Sequence, residues 1–374
     1  MKKKIETILF LGTSLVQQKS ILSAKRNGFQ IIGVDKNKNS SSKKFCNYFI
    51  NTNCTNVNYI FNKVRKIKNL NIIDVWANND ILLKSKYELE KKLNIKSDLK
   101  ISIILNLFNK GKFKKFFNKF LIKDTKKQFP KLAKPKLGHG SLGIKMLKNQ
   151  KDFLKIKNKQ NYIFEKYIDN LKEYGVNFFY DKKKIYVLNS VYRYFDHKIT
   201  FAPLGVVAIK SNNKINKFLN KIKQEIYKLK LYGKIKLDIG IFNNSLKIIE
   251  ISPRFHGEID TGFLFSMNNN ALSDFYFSKL SSNKKVLINR KNKFLYGYFA
   301  CYKKKSLVTI KKIFKKNDIN FIKLLKRDNY NHEKIRHNQL STNNIWAYAF
   351  YKTNKIISDD KFKKISHQIN SFEI

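Results

Sequence analysis

Apolar residues fall in short runs along this chain, separated by polar breaks. Thr7–Leu11 is one such run and ends at Gly12. The spacing over Gln17–Arg26 predicts a helix, Asn27-Gly28 stops it, and Gln30–Val34 predicts a second strand closed by Asp35. Ile72–Ala77 predicts another strand and Ile81–Leu93 a helix. Such alternation predicts a small parallel sheet covered on both faces. A basic helical stretch, Lys110–Phe120, leads to a short strand at Lys131–Lys134. From there to about residue 280 strands dominate, with helices near Lys151–Lys157 and Lys214–Leu231. Strands near Leu295–Tyr302 and Ile345–Tyr351 and a closing helix at Asp359–Asn370 complete the pattern. No repeat or Gly/Ser linker divides the chain, so the parts are expected to pack as one body.

The sharpest alternation lies between Lys234 and Glu258, KIKLDIGIFNNSLKIIEISPRFHGE. Leu237, Ile239 and Ile241 alternate with Asp238 and Gly240, and Ile249 and Ile251 alternate with Glu250 and Ser252. Asn243-Asn244-Ser245 supplies turn chemistry. If those three residues form the loop, Asp238 lies opposite Glu250 and Ser252 follows on the same face, while the isoleucines fill the core face. A two-residue loop would shift this register by one. Facing carboxylates repel unless something positive lies between them. Hard oxygen ligands in that arrangement suit Mg²⁺, whose shell is completed by phosphates and water. Arg254, just past the strand, can meet phosphate or carboxylate with its fork. The alternative is a surface hairpin whose acids neutralise nearby lysines.

Residues 131–145 read KLAKPKLGHGSLGIK, with Gly138, Gly140 and Gly143 in a GxGxxG pattern around Ser141. A dinucleotide fingerprint should open a helix, whereas Ile144–Leu147 alternates like a strand. A Walker loop needs Lys-Ser/Thr after the last glycine, and Ile144-Lys145-Met146 stands there instead. A protein kinase would add HRD and DFG, which are absent. A strand–turn–strand flap remains, whose backbone N–H groups can approach phosphate oxygens, with Lys134 just before it. Further on, Tyr162–Ile168 alternates and carries Glu165, Lys166 and Tyr167, and Glu173 follows. A carboxylate at such an edge can accept from an adenine amino group or ribose hydroxyls, or it can simply pair with a lysine.

Composition changes this picture little. The chain has 374 residues, 43% of them hydrophobic, which excludes global disorder. Its formal charge of +52 invites a nucleic-acid reading. Against it, the basic residues are overwhelmingly Lys, spread along the whole chain, and base readout favours Arg. Apolar runs such as Ile101–Leu105 fall far short of the ~20 residues of a membrane span. The opening MKKKIETILFLG has the outline of a signal peptide, but Glu6 interrupts it and a buried first strand accounts for it better. Cys46, Cys54 and Cys301 form neither a disulfide frame nor a zinc pattern. The expectation is a reduced, cytoplasmic protein.

These pieces in this order resemble the ATP-grasp superfamily, in its biotin-carboxylase-like and carbamoyl-phosphate-synthase-like branch of carboxylate–amine ligases. The resemblance spans essentially the whole chain. It implies an α/β and α+β ATP-grasp fold with an N-terminal parallel α/β (pre-ATP-grasp) domain at 1–105, a nucleotide-binding and catalytic domain at 106–280 and a C-terminal lobe at 281–374. Lys110 in NKGKF matches a phosphate-contacting basic residue, and Lys134 in AKP the ATP-contacting lysine. Gly138–Gly143, with Ser141, match the phosphate flap; Glu165, Lys166, Tyr167 and Ile168 match the adenine hinge, and Glu173 the ribose position. Asp238 and Glu250 match the magnesium carboxylates. Arg254 matches the arginine of the E-x-N-P-R signature, where it holds the transferred phosphate, and Lys134 would assist it. The signature asparagine is Ser252 here, a poorer ligand for a second metal ion. Arg193 with His197, His256 and Glu258 are candidates for substrate binding or proton movement.

The resemblance implies ATP, Mg²⁺ (with Mn²⁺ able to replace it), and small-molecule carboxylate and amine substrates, with no membrane or nucleic-acid partner, and it is compatible with a homodimer. The rival readings are a nucleotide-binding homologue with weak catalysis and a lysine-rich polyanion binder.

Overall fold

The protein's structure is a computed structural model that describes residues 4–97, 99–122, 128–138, 140–210, 213–257, 259–267, 271–281, 293–328 and 340–372. The chain opens with β1 (Ile5–Leu11), α1 (Gln18–Arg26), β2 (Gln30–Asp35), β3 (Tyr48–Asn51), α2 (Val57–Arg65), β4 (Leu70–Trp76) and α3 (Leu83–Lys92). The strands form a parallel sheet in the order β3-β2-β1-β4. Successive residues of β1 enter different cores: Leu9 and Leu11 pack with α2, while Ile8 and Phe10 pack towards the rest of the protein. A strand buried on both faces reads as a continuous apolar run, which is why Thr7–Leu11 stands out in the sequence.

A helical pair, α4 (Ile101–Phe108) and α5 (Lys110–Phe117), leads to a small antiparallel sheet of β5 (Lys131–Pro135), β6 (Lys145–Leu147) and β7 (Tyr162–Lys166), with α6 (Gln150–Leu154) between the last two. Then come β8 (Lys172–Tyr180), β9 (Ile185–Asp196), β10 (Thr200–Ile209), α7 (Asn213–Lys228), β11 (Gly233–Phe242) and β12 (Ser245–Ser252). A π-helical turn at Ile259–Leu264 runs into the short α8 (Phe265–Met267), followed by α9 (Leu272–Leu280). The chain closes with β13 (Leu295–Cys301), α10 (Leu307–Lys316), β14 (Asn320–Lys326), β15 (Ala347–Thr353) and α11 (Asp359–Asn370).

Eight strands form one antiparallel sheet, β12-β11-β8-β9-β10-β13-β15-β14. The C-terminal strands therefore extend the central sheet, through Gly205↔Phe299 and Val207↔Gly297. Helix α7 lays Ile215, Leu219, Ile222 and Ile226 against Leu237, Ile239 and Ile251 of the hairpin. A second core joins the first sheet to the last elements: Trp76 lies 4.9 Å from Phe277, and Phe362 of α11 is stacked on Phe299 at 4.0 Å and on Tyr194 at 3.7 Å.

Three predicted helices have different limits. The Ile81–Leu93 helix starts as a 3-10 turn at Asp80–Leu82, and the Lys110–Phe120 helix ends as one at Asn118–Phe120. The Lys151–Lys157 helix is the shorter α6, capped by the Asn149 side chain. No helix among the described residues is long and apolar enough to cross a membrane.

Candidate active site

The hairpin of β11 and β12 sets the geometry. Its loop has two residues, Asn243 (φ 47°) and Asn244 (φ 58°), the left-handed pair that a tight hairpin turn requires. That loop alone would put Asp238 out of step with Glu250. A β-bulge restores the register, since Ile239 pairs with Ile248 while Asp238 pairs with Glu250, which leaves Ile249 as the extra residue. Ile249 accordingly turns from the expected core face to the wall of a cavity of about 510 Å³.

Asp238 is buried and heavily engaged. Its Oδ1 lies 2.8 Å from Arg193 Nη2 and 2.8 Å from His256 Nε2, and its Oδ2 lies 3.1 Å from Lys236 Nζ. Arg193 and Lys236 hold the carboxyl well below its ordinary value even though burial opposes its charge. Lys236 Nζ also reaches Glu250 Oε2 at 2.9 Å, so a lysine bridges the two facing carboxylates. His256 is clamped from the other side, with Asn177 Oδ1 accepting from its backbone N–H at 2.8 Å and facing Nδ1 at 2.9 Å. Both ring nitrogens face oxygen atoms, and burial brings the ring down to about 3 although Asp238 favours its charge. The ring needs Gly175 beneath it, because a Cβ there would collide with His256 and Arg193.

Arg254 is held by a residue just past β4. Its Nε donates to Asp80 Oδ1 at 2.7 Å, its Nη2 pairs with Asp80 Oδ2, and its Nη1 donates to Phe255 O at 2.8 Å. The Ser252 hydroxyl also donates to Asp80 Oδ1. Against burial, Arg254 holds the Asp80 carboxyl far below its usual range.

The opposite wall carries lysines. Lys134 Nζ lies 2.6 Å from Glu165 Oε2 and Lys114 Nζ 3.2 Å from Oε1. Burial opposes the Glu165 charge, yet Lys134 and Lys114 bring its carboxyl down to about 2. Lys110 opens α5, and its Nζ donates to Gly138 O at 2.9 Å. The flap is closed down: the Ser141 hydroxyl donates to Phe201 O at 2.8 Å, and Thr342 N donates to Gly140 O at 3.2 Å. Gly140 (φ 60°) has no room for a side chain, since a Cβ would strike Thr342 Oγ1.

The cavity gathers most of the residues singled out in the sequence. Lys110, Lys134, Gly138, Gly140, Ser141 and Glu165 line one side. Glu173, Arg193, His197, Asp238, Glu250, Arg254 and His256 line the other. Burial, with Asp238 and Glu250 adding to it, pushes Glu173 up to about 7 against Arg193 and Lys134. Burial and then Lys134 press His197 down to about 4. Gly143, Lys166, Tyr167, Ile168 and Ser252 are not part of the lining. The Tyr167 N–H is committed to Pro130 O at 3.0 Å. Glu258 lies outside the described residues.

The residues of the expected metal set make other contacts in this structure. Among the described residues no group of three or more His, Cys, Asp and Glu side chains is arranged to hold a metal ion. The Asp238 oxygens are taken by three nitrogen donors, the Ser252 hydroxyl donates to Asp80, and Lys236 fills the gap between the carboxylates. A cation shared by Asp238, Glu250 and Ser252 does not fit. One divalent ion fits at Glu250, which lines the cavity and gives only Oε2 to Lys236; one carboxylate with phosphate oxygens is an ordinary Mg²⁺ arrangement.

Sequence reasoning missed Asp80, Lys236, Asn177 and Asp260. Asp80 had a signal: it lies just past β4, at the carboxyl end of a parallel sheet, where such folds place ligand-binding groups. Lys236 sat unremarked in the same alternation as Asp238, two positions earlier.

Residues 117–258 match the family model described as ATP-grasp domain. The whole chain has the ATP-grasp fold. It is similar to the L-amino acid ligase from Bacillus licheniformis, with 11% identity, TM-score 0.70 and coverage of 99% of this chain and 98% of that one. It is also similar to N5-carboxyaminoimidazole synthetase from Staphylococcus aureus complexed with ADP, with 13% identity, TM-score 0.70 and the same coverage of 99% and 98%. It is similar, too, to the biotin carboxylase domain of Hydrogenobacter thermophilus 2-oxoglutarate carboxylase, in complex with MgADP, ADP and bicarbonate. That likeness has 12% identity and TM-score 0.64 and covers 94% of this chain and 87% of that one. No curated protein matches the sequence.

Proposed function

We propose, with the ATP-grasp domain at residues 117–258 as premise, that the protein is an ATP-dependent ligase that activates a carboxylate as an acyl phosphate and joins it to an amine. The observation that carries this reading is the single cavity in which Lys110, Lys134 and the glycine flap face Glu250, Arg193 and Arg254. The first group supplies cations and backbone N–H groups for a triphosphate. Arg193 and Arg254 supply positive charge where a carboxylate and a transferring phosphoryl group would meet. Glu173, half-protonated near neutrality, can donate to or accept from a ribose hydroxyl. A divalent cation at Glu250 would neutralise phosphate charge there.

In the first step an oxygen of the substrate carboxylate attacks the γ-phosphorus and the bond to ADP breaks. In the second, the amine attacks the acyl carbon and phosphate leaves. Lys134, already positive and fixed by Glu165, stays in place through both steps, so little reorganisation accompanies the charge movement. The free thiols are unreactive: burial raises Cys46 to about 11 and Cys54 and Cys301 to about 12, in keeping with a protein of the reducing cytoplasm.

The direct test is ADP release from MgATP in a panel of carboxylates, with hydroxylamine present to trap an acyl phosphate as hydroxamate. We expect ADP and hydroxamate to appear together for at least one carboxylate. ATP binding without carboxylate-dependent ADP release would favour the second reading, a nucleotide-binding homologue with weak catalysis. The lysine between Asp238 and Glu250 and the Asp80 clamp on Arg254 are the features that favour it.

A further inference from the structure

Past Arg193 the cavity continues to a carboxylate that the reaction above does not use. Asp260 lies in the π-helical turn, is 7% exposed, and lines the cavity with Tyr298 of β13 and Tyr348 of β15. Its Oδ1 is buried and has no hydrogen-bond partner among the described residues. The Tyr298 hydroxyl donates to the same carboxyl group. Arg193 is close enough to act on Asp260, but its guanidinium is paired with Asp238 at 2.8 Å. A buried carboxylate with an unmet oxygen is costly, and such groups in folded proteins nearly always have a partner. Asp260 lines the cavity, so a partner can approach its carboxyl group from there. A primary ammonium brings what is missing: N–H donors, positive charge and a taste for aromatic faces. Tyr298 and Tyr348 supply those faces, their rings edge-on at 5.1 Å.

We propose that Asp260, walled by Tyr298 and Tyr348, is the subsite for the amine nucleophile, binding it as an ammonium ion and taking a proton from it during transfer. This rests on the ligase reading given above. The step balances as follows. The C–N bond forms as the C–O bond to phosphate breaks, and of the two protons the ammonium loses, one goes to Asp260 and one to the departing phosphate. Burial pushes the Asp260 carboxyl up to about 6, with Arg193 opposing, so it is ionised at neutral pH and basic enough to accept a proton. Its other charged and titratable neighbours are Tyr298, Asp238, Lys236 and Tyr348.

The test reads binding, without catalysis. Benzylammonium chloride and its neutral isostere benzyl alcohol are titrated into the full chain by ligand-observed NMR at pH 7.5 and pH 5. The expected result is saturable binding of benzylammonium, at least tenfold tighter than benzyl alcohol, falling at least tenfold at pH 5. Asp260→Asn, checked for folding by its melting temperature, should lose at least tenfold in affinity. No ammonium binding, equal binding of the alcohol, or affinity that ignores pH would overturn the proposal, and the wild type alone decides each of these. Hydroxamate formation in the ADP assay reports separately on the ligase reading. A protein that binds ammonium but makes no hydroxamate keeps the subsite and loses the reaction.

Discussion

Glu173 shows how one side chain records the charge around it. Its carboxyl is raised to about 7 by burial and by Asp238 and Glu250, whereas an unfolded glutamate titrates near 4.3. The folded state therefore holds the proton more tightly, so this residue's contribution to stability falls as pH rises from about 4.3 to about 7 and is flat on either side. Glu173→Gln should remove that slope. Urea unfolding should show the variant gaining roughly 3–4 kcal/mol over wild type at pH 8 and nothing near pH 4. Asp80 poses the opposite case, because both of its oxygens serve Arg254 and the pair is almost fully buried. Asp80→Ala strands a buried guanidinium and should cost about 3–5 kcal/mol by the same measurement; a loss under about 1 kcal/mol would mean that Arg254 is not anchored there. Asp238, Glu250 and Arg254 were legible in the sequence because carboxylates and arginines stand out against alternating apolar residues. Asp80 was not, because its partners lie 172 and 174 positions away and no local pattern ties them.

At the scale of elements, the hairpin was legible through its alternation, yet the route to its register was not. The sequence favours a three-residue loop; the protein uses two residues and recovers the register with a bulge at Ile249. Both routes bring Asp238 opposite Glu250, so the outcome could be anticipated and the means could not. The same alternation put Lys236 on the site face, between the two carboxylates. Lys236→Met should reopen that gap. Counting Mn²⁺ by electron paramagnetic resonance at saturating ADP, we expect one ion per nucleotide in wild type and two in the variant. Two ions in wild type would show that Lys236 moves aside and does not replace a cation. The glycine flap was visible as a spacing, but its contacts to Phe201 and Thr342 come from elements far along the chain, and only tertiary structure reveals them.

For the whole molecule, alternating strands and helices announced the parallel sheet. The continuous eight-stranded sheet was hidden, because pairing between β10 and β13 depends on contacts across about ninety residues. The charge of +52 divides into two populations. Lys86, Lys134 and Lys236 are drawn into the interior by carboxylates at 2.6–3.1 Å, where they serve the structure and the site, while the exposed lysines form a solvated surface. The central claim is that the cavity between the flap and the hairpin binds ATP through Lys134. Isothermal titration of MgATP into wild type and Lys134→Ala tests it most directly. The account predicts one site per chain in wild type and at least a tenfold loss of affinity in the variant, at a salt concentration high enough to screen the surface lysines. Equal affinity in both proteins, or no heat in wild type, would contradict it.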